Sequence, residues 1–279
     1  MQPFHDFSAR SLIEVIEANT REFLLALGRL GGGEDLDRAD RQWIIGGSPL
    51  AYHNCVVRAC LTEETMDEAI VSSIQRFQAY NVPGSWHVGP WMRPENLGER
   101  LVAHGFTHEG NEPGMAVDLL RLNAHISTPQ GLVIERVRNE QDLEVWTRTL
   151  AMGFGEGEIE ANWVGAMYHK SGFAEDGLWH HYLGRWNGEP VATTSLFLGA
   201  GVAGIYFVFT IPTARRQGIG AAITFAALQD ASRRGYRVGI LGSSSMGYPV
   251  YRRLGFQEYC QIEMYEWTPR ENGPLFASQ

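Results

Sequence analysis

The sequence predicts an α/β protein made of two units in which strands and helices alternate. Apolar runs of strand length alternate with stretches of helical periodicity along most of the 279 residues. An Asn187-Gly188 pair between two apolar runs is a strong signal for a β-hairpin. The apolar periodicity lapses in the polar stretch Asn123–Gln130, which contains Pro129. With 44% hydrophobic residues, each side of this stretch can close a core of its own.

The first unit, residues 1–125, begins with a helical pattern. Apolar residues recur near helical spacing over Ser8–Leu30, and three glycines then end the pattern. Beyond it, the same reasoning predicts strands at Asn54–Leu61, Ser85–Val88 and Gly114–Leu119, and helices at Thr65–Tyr80 and Glu95–His104.

The second unit, residues 130–270, has a denser alternation, and residues 271–279 form a tail. Between its first helix and the hairpin lies Gly153–Phe173, which we predict to be helical only in parts. The predicted strands are Leu132–Val137, His180–Trp186, Pro190–Leu198, Gly204–Thr210, Arg237–Leu241, Phe256–Cys260 and Ile262–Trp267, and the helices are Gln141–Met152, Gly220–Arg234 and Gly247–Leu254.

Composition and charge restrict the partners. The chain carries 23 Lys and Arg against 32 Asp and Glu, a net charge of −9, so its overall field repels nucleic acid and anionic membranes. Three cysteines without metal-like spacing argue against disulfides and against a metal site. The N-terminus lacks a signal-peptide pattern, and no apolar run approaches membrane-spanning length. We therefore expect a soluble, cytoplasmic protein that must hold any anionic ligand locally.

The most informative segment is an apolar strand that runs into a basic, glycine-containing turn and then into a helix. The strand is Ile205–Thr210, the turn contains Arg215, Arg216, Gly218 and Gly220, and the helix follows directly. The first backbone amides of a helix have no intrahelical partner and carry the positive end of the macrodipole. An anion can bind there, and glycines allow its oxygens close to the backbone.

Three explanations compete for this turn. A dinucleotide fingerprint would need a third glycine where Ile223 stands, and a P-loop would need a Gly-Lys-Ser/Thr sequence that is absent. An ordinary strand-to-helix connection is the most frequent explanation for a single Gly-x-Gly. The residues that follow must therefore decide between them.

Two motifs together resemble those of the GCN5-related N-acetyltransferase (GNAT) superfamily. Arg215-x-x-Gly218-x-Gly220 after an apolar strand is similar to the family's acyl-CoA pyrophosphate motif. The sequence from Tyr251 to Gly255-Phe256 is similar to its Tyr-x-x-x-Gly-Phe signature. The resemblance covers Leu132–Trp267 and implies a mixed, mostly antiparallel sheet flanked by helices. The first unit resembles a degenerate or partial GNAT-like domain, because Leu97–Phe106 has the helix-Gly-Phe ending without a preceding glycine turn.

The resemblance also implies roles for individual residues. Tyr251 would protonate the departing CoA thiolate, and the amine would attack the thioester directly, without a covalent acyl-enzyme. Ser244 stands where the family often has an asparagine and is a candidate cofactor contact. The pantetheine arm would contact the main chain of Phe207, Val208 and Phe209, and the pyrophosphate would bind at Arg215, Arg216, Gln217, Gly218, Ile219, Gly220 and Ala221. Acetyl-CoA is the expected co-substrate, and no metal is expected.

One departure from the family pattern concerns the base. Many members carry a glutamate on the strand before the turn, but Gly204–Thr210 contains no carboxylate. Candidate bases are therefore Glu156, Glu158 and Glu160, or His169, or water acting on an amine that arrives neutral. Glutamates beside aromatic residues would suit a cationic amine, and equally they would suit an exposed acidic helix start. Of these residues, we take Glu158 and Glu160 as the catalytic candidates.

The function we predict is acetyl transfer from acetyl-CoA to a primary amine of a small molecule, such as an amino acid, a polyamine or an antibiotic-like compound. A peptide or protein N-acetyltransferase and a non-catalytic acyl-CoA-binding sensor are the alternatives. Assembly as a homodimer is an open option.

Overall fold

The computed structural model describes residue 4 and residues 6–123 and 125–269. Over these residues the chain forms seven α-helices and eleven strands. The helices are α1 (Ala9–Gly31), α2 (Glu63–Ala79), α3 (Leu97–Ala103), α4 (Glu140–Ala151), α5 (Glu158–Ser171), α6 (Ile219–Arg233) and α7 (Tyr248–Leu254). The strands are β1 (Glu34–Asp37), β2 (Arg41–Ile45), β3 (Asn54–Ala59), β4 (Gly84–Val88), β5 (Thr107–Asp118), β6 (Leu132–Arg136), β7 (Trp179–Trp186), β8 (Glu189–Gly199), β9 (Val202–Thr210), β10 (Val238–Gly242) and β11 (Gln257–Trp267).

All eleven strands belong to one sheet, in the order β1-β2-β3-β4-β11-β5-β10-β9-β8-β7-β6. Only the β3–β4 and β9–β10 pairs are parallel, so the predicted mixed, mostly antiparallel sheet is confirmed. The order places β5, the last strand of the first unit, against β10 of the second unit. It places β11, the last strand of the second unit, between β4 and β5 of the first. The two units therefore exchange their final strands and share one sheet.

Helices cover both faces of this sheet. On one face, α1 packs first on β5, β10 and β11 and then joins a second core with α4 and α5. On the other face, α6 and α7 pack over the second unit, and α2 and α3 pack over the first. Alternate residues of β5 point to opposite faces of the sheet. Ala116 packs with α1, whereas Met115 and Val117 pack with the core that contains α6.

A buried asparagine fixes α1 to the second unit. The Asn19 side chain donates to the carbonyl of Gly199 at 2.8 Å and accepts from the Tyr206 hydroxyl at 2.8 Å. The Phe23 ring stacks on the Tyr206 ring with centroids 3.7 Å apart. Because the asparagine is fully buried, these hydrogen bonds compensate for its desolvation and hold α1 across β8 and β9.

The sequence predicted most elements within a few residues, with four differences. β5 begins at Thr107, seven residues before the predicted start at Gly114. β1 and β2 were not predicted, because β1 is short and mostly acidic. β11 is one bulged strand where we predicted two, since its register shifts allow the pairing to continue past Cys260. α5 is a complete helix of 14 residues where only partial helix was expected.

The proposed division at residues 125–130 stays a prediction, and the proposed tail 271–279 lies outside the described residues. None of the described helices combines the length and the apolar content that crossing a membrane would require.

Three fully buried histidines make the stability of the folded protein depend on pH. Burial lowers the pKa of His53 and of His181 to about 3, and that of His180 to about 4. The His181 ring packs against Tyr168 and its Nδ1 lies 2.9 Å from the Ser195 hydroxyl. Charging such a ring would leave a cation in an apolar core, so the folded protein keeps these histidines neutral.

We predict that acid destabilises the protein from about pH 6.5 downwards. In the unfolded chain these histidines bind protons near their ordinary pKa of 6.5, whereas in the folded protein they do not until pH 3–4. Their stabilisation is therefore complete above pH 6.5, and the free energy of unfolding should fall by about 1.4 kcal/mol per pH unit for each histidine below it. Urea unfolding at pH 7, 6 and 5 measures this slope. Replacing His181 with Gln should reduce the slope by about one proton.

Candidate functional site

A bulge in β9 opens the candidate site. Thr193 of β8 pairs with Phe209 and Ser195 pairs with Tyr206, so Phe207 and Val208 both lie opposite Thr194. Phe207 takes a positive φ of 50°, and the Thr193 hydroxyl donates to its carbonyl at 3.0 Å. A bulge of this kind bends the strand and changes the direction of its backbone groups.

β9 and β10 separate just before this bulge. Their parallel pairing consists of Gly239 with Ala203 and Ile240 with Gly204, and β10 ends at Gly242. The edge of β9 beyond Gly204 that faces β10 therefore has no strand partner among the described residues. Phe207, Val208 and Phe209, the predicted main-chain contacts, lie along this free edge.

The turn that follows β9 presents a run of free amides. Gly218 caps α6 in the left-handed conformation with φ 82°, and Arg216 also has a positive φ of 62°. Within the described residues, the backbone N–H groups of residues 216–221 have no hydrogen-bond acceptor. No acidic residue lies in the first turn of α6. Six consecutive donors at a helix N-terminus form a suitable anion site.

The two arginines of the turn differ. Arg215 donates from Nε to the carbonyl of Thr210 at 3.0 Å, and its guanidinium lies 5.7 Å from the centroid of the Phe209 ring. Arg215 therefore holds the turn against β9. Arg216 and Gln217 are exposed, as is Gly218, so they can face a ligand in solution.

Tyr251 lies in α7 and packs in the core that contains α6. Its side chain is 7% exposed, and burial together with the nearby Glu112 carboxyl raises its pKa above the ordinary value of 10. It therefore keeps its proton at neutral pH. Ser244 is exposed, and its hydroxyl accepts from the N–H of Gly247 at 3.2 Å, which stabilises the start of α7. Both predicted roles, acid and cofactor contact, stay predictions.

Glu112 is a site residue that we did not predict from the sequence. It lies in β5, pairs with Ile262 of β11, and extends over the end of β10. A side chain at position 242 would place its Cβ 2.5 Å from both Glu112 carboxylate oxygens, so it would have to displace the Glu112 carboxyl group. Burial raises the pKa of Glu112. No local pattern marked this residue, because it stands 139 residues before Tyr251, the motif residue of α7, and belongs to the other unit.

The two candidate glutamates of the predicted acceptor region differ in their exposure to solvent. Glu158 is exposed at the start of α5, whereas Glu160 is 1% exposed. One Glu160 oxygen accepts from the N–H of Glu156 at 3.2 Å, and the other has no hydrogen-bond partner among the described residues. Burial raises the pKa of Glu160, and the nearby Tyr52 hydroxyl partly offsets this increase.

Residues of the first unit complete this acidic region. The His53 ring stacks on Trp163 of α5 with centroids 4.6 Å apart, which brings Tyr52 towards Glu160. Glu266 of β11 has a raised pKa because of burial and the nearby Glu109 and Glu156 carboxylates. The carboxylates of Glu160 in α5 and Glu266 in β11 thus both lie near the Tyr52 hydroxyl.

No group of three or more metal-ligating side chains occurs in the described part of the chain, and the expectation of no metal stays a prediction.

The corresponding gap in the first unit is closed. β3 and β4 pair in parallel only at Cys55–Ser85 and Val56–Trp86. Beyond these pairs, Arg93 donates its N–H to Ala59 and accepts from the N–H of Leu61, so the chain after β4 fills the edge of β3. The helix that follows, α2, begins with Glu63 and Glu64. Two carboxylates at a helix N-terminus disfavour a phosphate there.

Comparison with known proteins places this geometry in a family. Residues 144–256 match the model of the acetyltransferase (GNAT) family. No curated protein matches the chain.

Several solved structures share the fold. A GCN5-related N-acetyltransferase from Kribbella flavida is 21% identical, with a TM-score of 0.70 over 94% of this chain and 96% of that chain. A functionally unknown protein from Staphylococcus epidermidis is 16% identical, with a TM-score of 0.65 over 84% of this chain and 93% of that one. A tandem GNAT protein from the clavulanic acid biosynthesis pathway is 12% identical, with a TM-score of 0.57 over 83% and 79%. Residues 144–256 therefore form a domain of the GNAT acetyltransferase family, and the chain as a whole has the GNAT fold, with a GNAT-like N-terminal half.

Proposed function

We propose that the protein is an acetyl-CoA-dependent N-acetyltransferase that acts on a primary amine of a small molecule. The observation that carries this proposal is the run of free amides at residues 216–221, which directly follows the bulged, unpaired edge of β9. A long ligand with an anionic group at one end and amide groups in its arm fits such a surface. GNAT proteins use acetyl-CoA, whose pyrophosphate and pantetheine arm have this chemistry.

The residues of the site suit acetyl-CoA in two further ways. The free amides and the exposed Arg216 supply positive potential on a chain whose net charge is −9, so the pyrophosphate is attracted locally. The free edge of β9 offers donors and acceptors to the amides of the pantetheine arm, as an added strand would.

The chemical steps can then be assigned to residues of the chain. A backbone N–H on the free edge of β9 polarises the thioester carbonyl while the amine attacks it. Tyr251, whose raised pKa keeps it protonated, donates its hydroxyl proton to the sulfur as the C–S bond breaks. The acyl group passes directly to the amine, and the buried Cys260, whose pKa is raised to about 12 by burial, stays an inert thiol.

The acidic region supports an amine as the acceptor. Glu160 is buried with one unpartnered oxygen, and Tyr52, Glu156 and Glu266 lie near it. A cationic group would supply the missing hydrogen bond and relieve the repulsion between these carboxylates. A polyamine or an amino sugar carries a second cation that could bind here while a first amine reacts. A peptide N-terminus is the alternative acceptor, and a non-catalytic sensor is the alternative to an enzyme.

Replacing Gly218 with Ala should weaken coenzyme A binding about tenfold, because the added methyl group strains a left-handed residue and displaces an amide donor. Isothermal titration calorimetry with coenzyme A measures the affinity. Gly235→Ala is the matched control, because Gly235 has φ 90° after the other end of α6. Its affinity should equal that of the wild type. Absence of binding to the wild-type protein would contradict the proposed function itself.

Replacing Tyr251 with Phe should lower kcat by a factor on the order of 10², because the thiolate loses its proton donor. Affinity for acetyl-CoA should stay within about twofold of wild type, since the ring and its packing remain. Release of the CoA thiol with a panel of amines measures turnover. Tyr248→Phe, one turn earlier in α7 and hydrogen-bonded to Glu258, serves as the control. Equal turnover in the two variants would rule out Tyr251 as the acid, and a wild-type protein that binds CoA without turnover with any amine would favour the sensor.

Replacing Glu160 with Gln should raise KM for diamines about tenfold and change KM for monoamines less, because a buried carboxylate pairs with the second cation. The same steady-state assay with diamines and monoamines of equal length separates the two effects. Glu158→Gln removes an exposed carboxylate two residues away and should leave both KM values unchanged. If Glu160→Gln keeps the wild-type ratio of KM for diamines to KM for monoamines, the basis for a cationic acceptor is removed.

A further inference from the structure

We infer that Glu112, carried by the N-terminal unit, is the general base that takes the proton from the acceptor amine in the site of the C-terminal unit. The inference rests on the proposed function. It replaces Glu158 and Glu160, the candidates taken from the sequence of the C-terminal unit, with a residue of the N-terminal unit, and so gives that unit a part in the reaction.

The β9 strand supplies no base of its own. Tyr206 is its only titratable side chain, and its hydroxyl is already committed to Asn19 at 2.8 Å. Burial raises the pKa of Tyr206 further above its ordinary value. A side chain that serves as the base would therefore come from another element that borders the gap.

The strand exchange brings β5 to the opposite side of this gap. Gly114 of β5 pairs with Gly242, the last residue of β10, so Glu112 lies two residues beyond the point where β10 ends. Two-residue spacing in a strand puts Glu112 and Gly114 on one face, and Gly114 faces Ile16 of α1. Glu112 therefore borders the gap opposite the free edge of β9, on the face covered by α1.

The Glu112 carboxylate lies beside the gap, next to Gly242 and Ser243. Both Glu112 oxygens lie within 2.5 Å of where a Cβ at position 242 would stand, so the carboxyl group rests on the backbone of this glycine. Ser243 donates its N–H to the carbonyl of Pro113 at 3.0 Å and so fixes the end of β10 next to Glu112. The carboxylate therefore lies directly beside the end of β10.

The surroundings of Glu112 suit a base better than a structural role. Burial alone acts on its pKa, and no hydrogen bond or cation among the described residues compensates for the loss of solvation. A partly buried carboxylate without such a partner lowers stability and is expected where it serves a reaction. The Glu112 charge contributes to the raised pKa of Tyr206 in β9 and of Tyr251 in α7, so the carboxyl group lies near both residues.

The proton transfers balance. As the C–N bond forms, Glu112 accepts one proton from the attacking nitrogen, directly or through one water molecule. As the C–S bond breaks, Tyr251 gives one proton to the sulfur. Exchange with solvent then returns a proton to Tyr251 and removes one from Glu112, so a neutral amine and acetyl-CoA yield an amide and CoA thiol with no net proton change.

The test compares three variants by amine-dependent thiol release and by calorimetry with coenzyme A. Glu112→Gln should lower kcat by a factor of about 10² to 10³ and change CoA affinity by less than about twofold. Gly242→Ala should fold, because its methyl group meets only the mobile end of Glu112, and should lower kcat by about tenfold by displacing the carboxylate. Glu263→Gln is the matched control. Glu263 follows Ile262, the β11 partner of Glu112, so it points to the opposite face of the sheet from Glu112, and its carboxylate accepts a hydrogen bond from the Tyr265 hydroxyl.

The outcomes distinguish this inference from the proposed function. Loss of turnover in Glu112→Gln and Gly242→Ala, with CoA binding retained and Glu263→Gln fully active, supports Glu112 as the base. Full turnover in Glu112→Gln with an active wild type overturns the assignment and leaves the acetyltransferase proposal intact. A wild type that neither binds coenzyme A nor acetylates any amine contradicts the proposed function instead.

Discussion

The exchange of the last strands, β5 and β11, is the contact on which the rest of the structure depends. Each of these strands is 11 or 12 residues long and pairs on both sides, β5 between β10 and β11 and β11 between β4 and β5. Neither unit could complete its sheet alone, because the edge of β4 and the edge of β10 would each lose a partner. The two units thus form one sheet, and α1 covers both on one face.

The two halves of the sheet differ at their parallel strand pairs. In each unit a parallel pair separates after two residue pairs, at β3–β4 and at β9–β10. The first gap is filled by the chain around Arg93 and is followed by a helix that begins with glutamates. The second stays open, leads to free amides, and is bordered by β5 of the first unit. The first unit has thus kept the fold and closed its own gap, and it contributes residues to the other.

Charge is arranged in two regions along this open gap. At one end, free amides and an exposed arginine favour an anion, although the chain as a whole is acidic. In the second region, Glu160, Glu156 and Glu266 favour a cation, because burial raises the pKa of Glu160 and of Glu266, and one Glu160 oxygen has no hydrogen-bond partner among the described residues. An anionic co-substrate and a cationic acceptor would therefore bind from different directions.

The sequence by itself determined the elements and the glycine turn, because periodicity, the Asn187-Gly188 hairpin and the spacing of Arg215, Gly218 and Gly220 act over a few neighbouring residues. The sequence also placed Tyr251 in the helix that follows β10. Only the tertiary structure decided the partners of β5 and β11, the positions of Glu112 and Tyr52, and which of Glu158 and Glu160 is buried. These features depend on pairing between residues more than 100 positions apart, and strand pairing at that distance is set by the packing of the whole sheet, which no local pattern encodes.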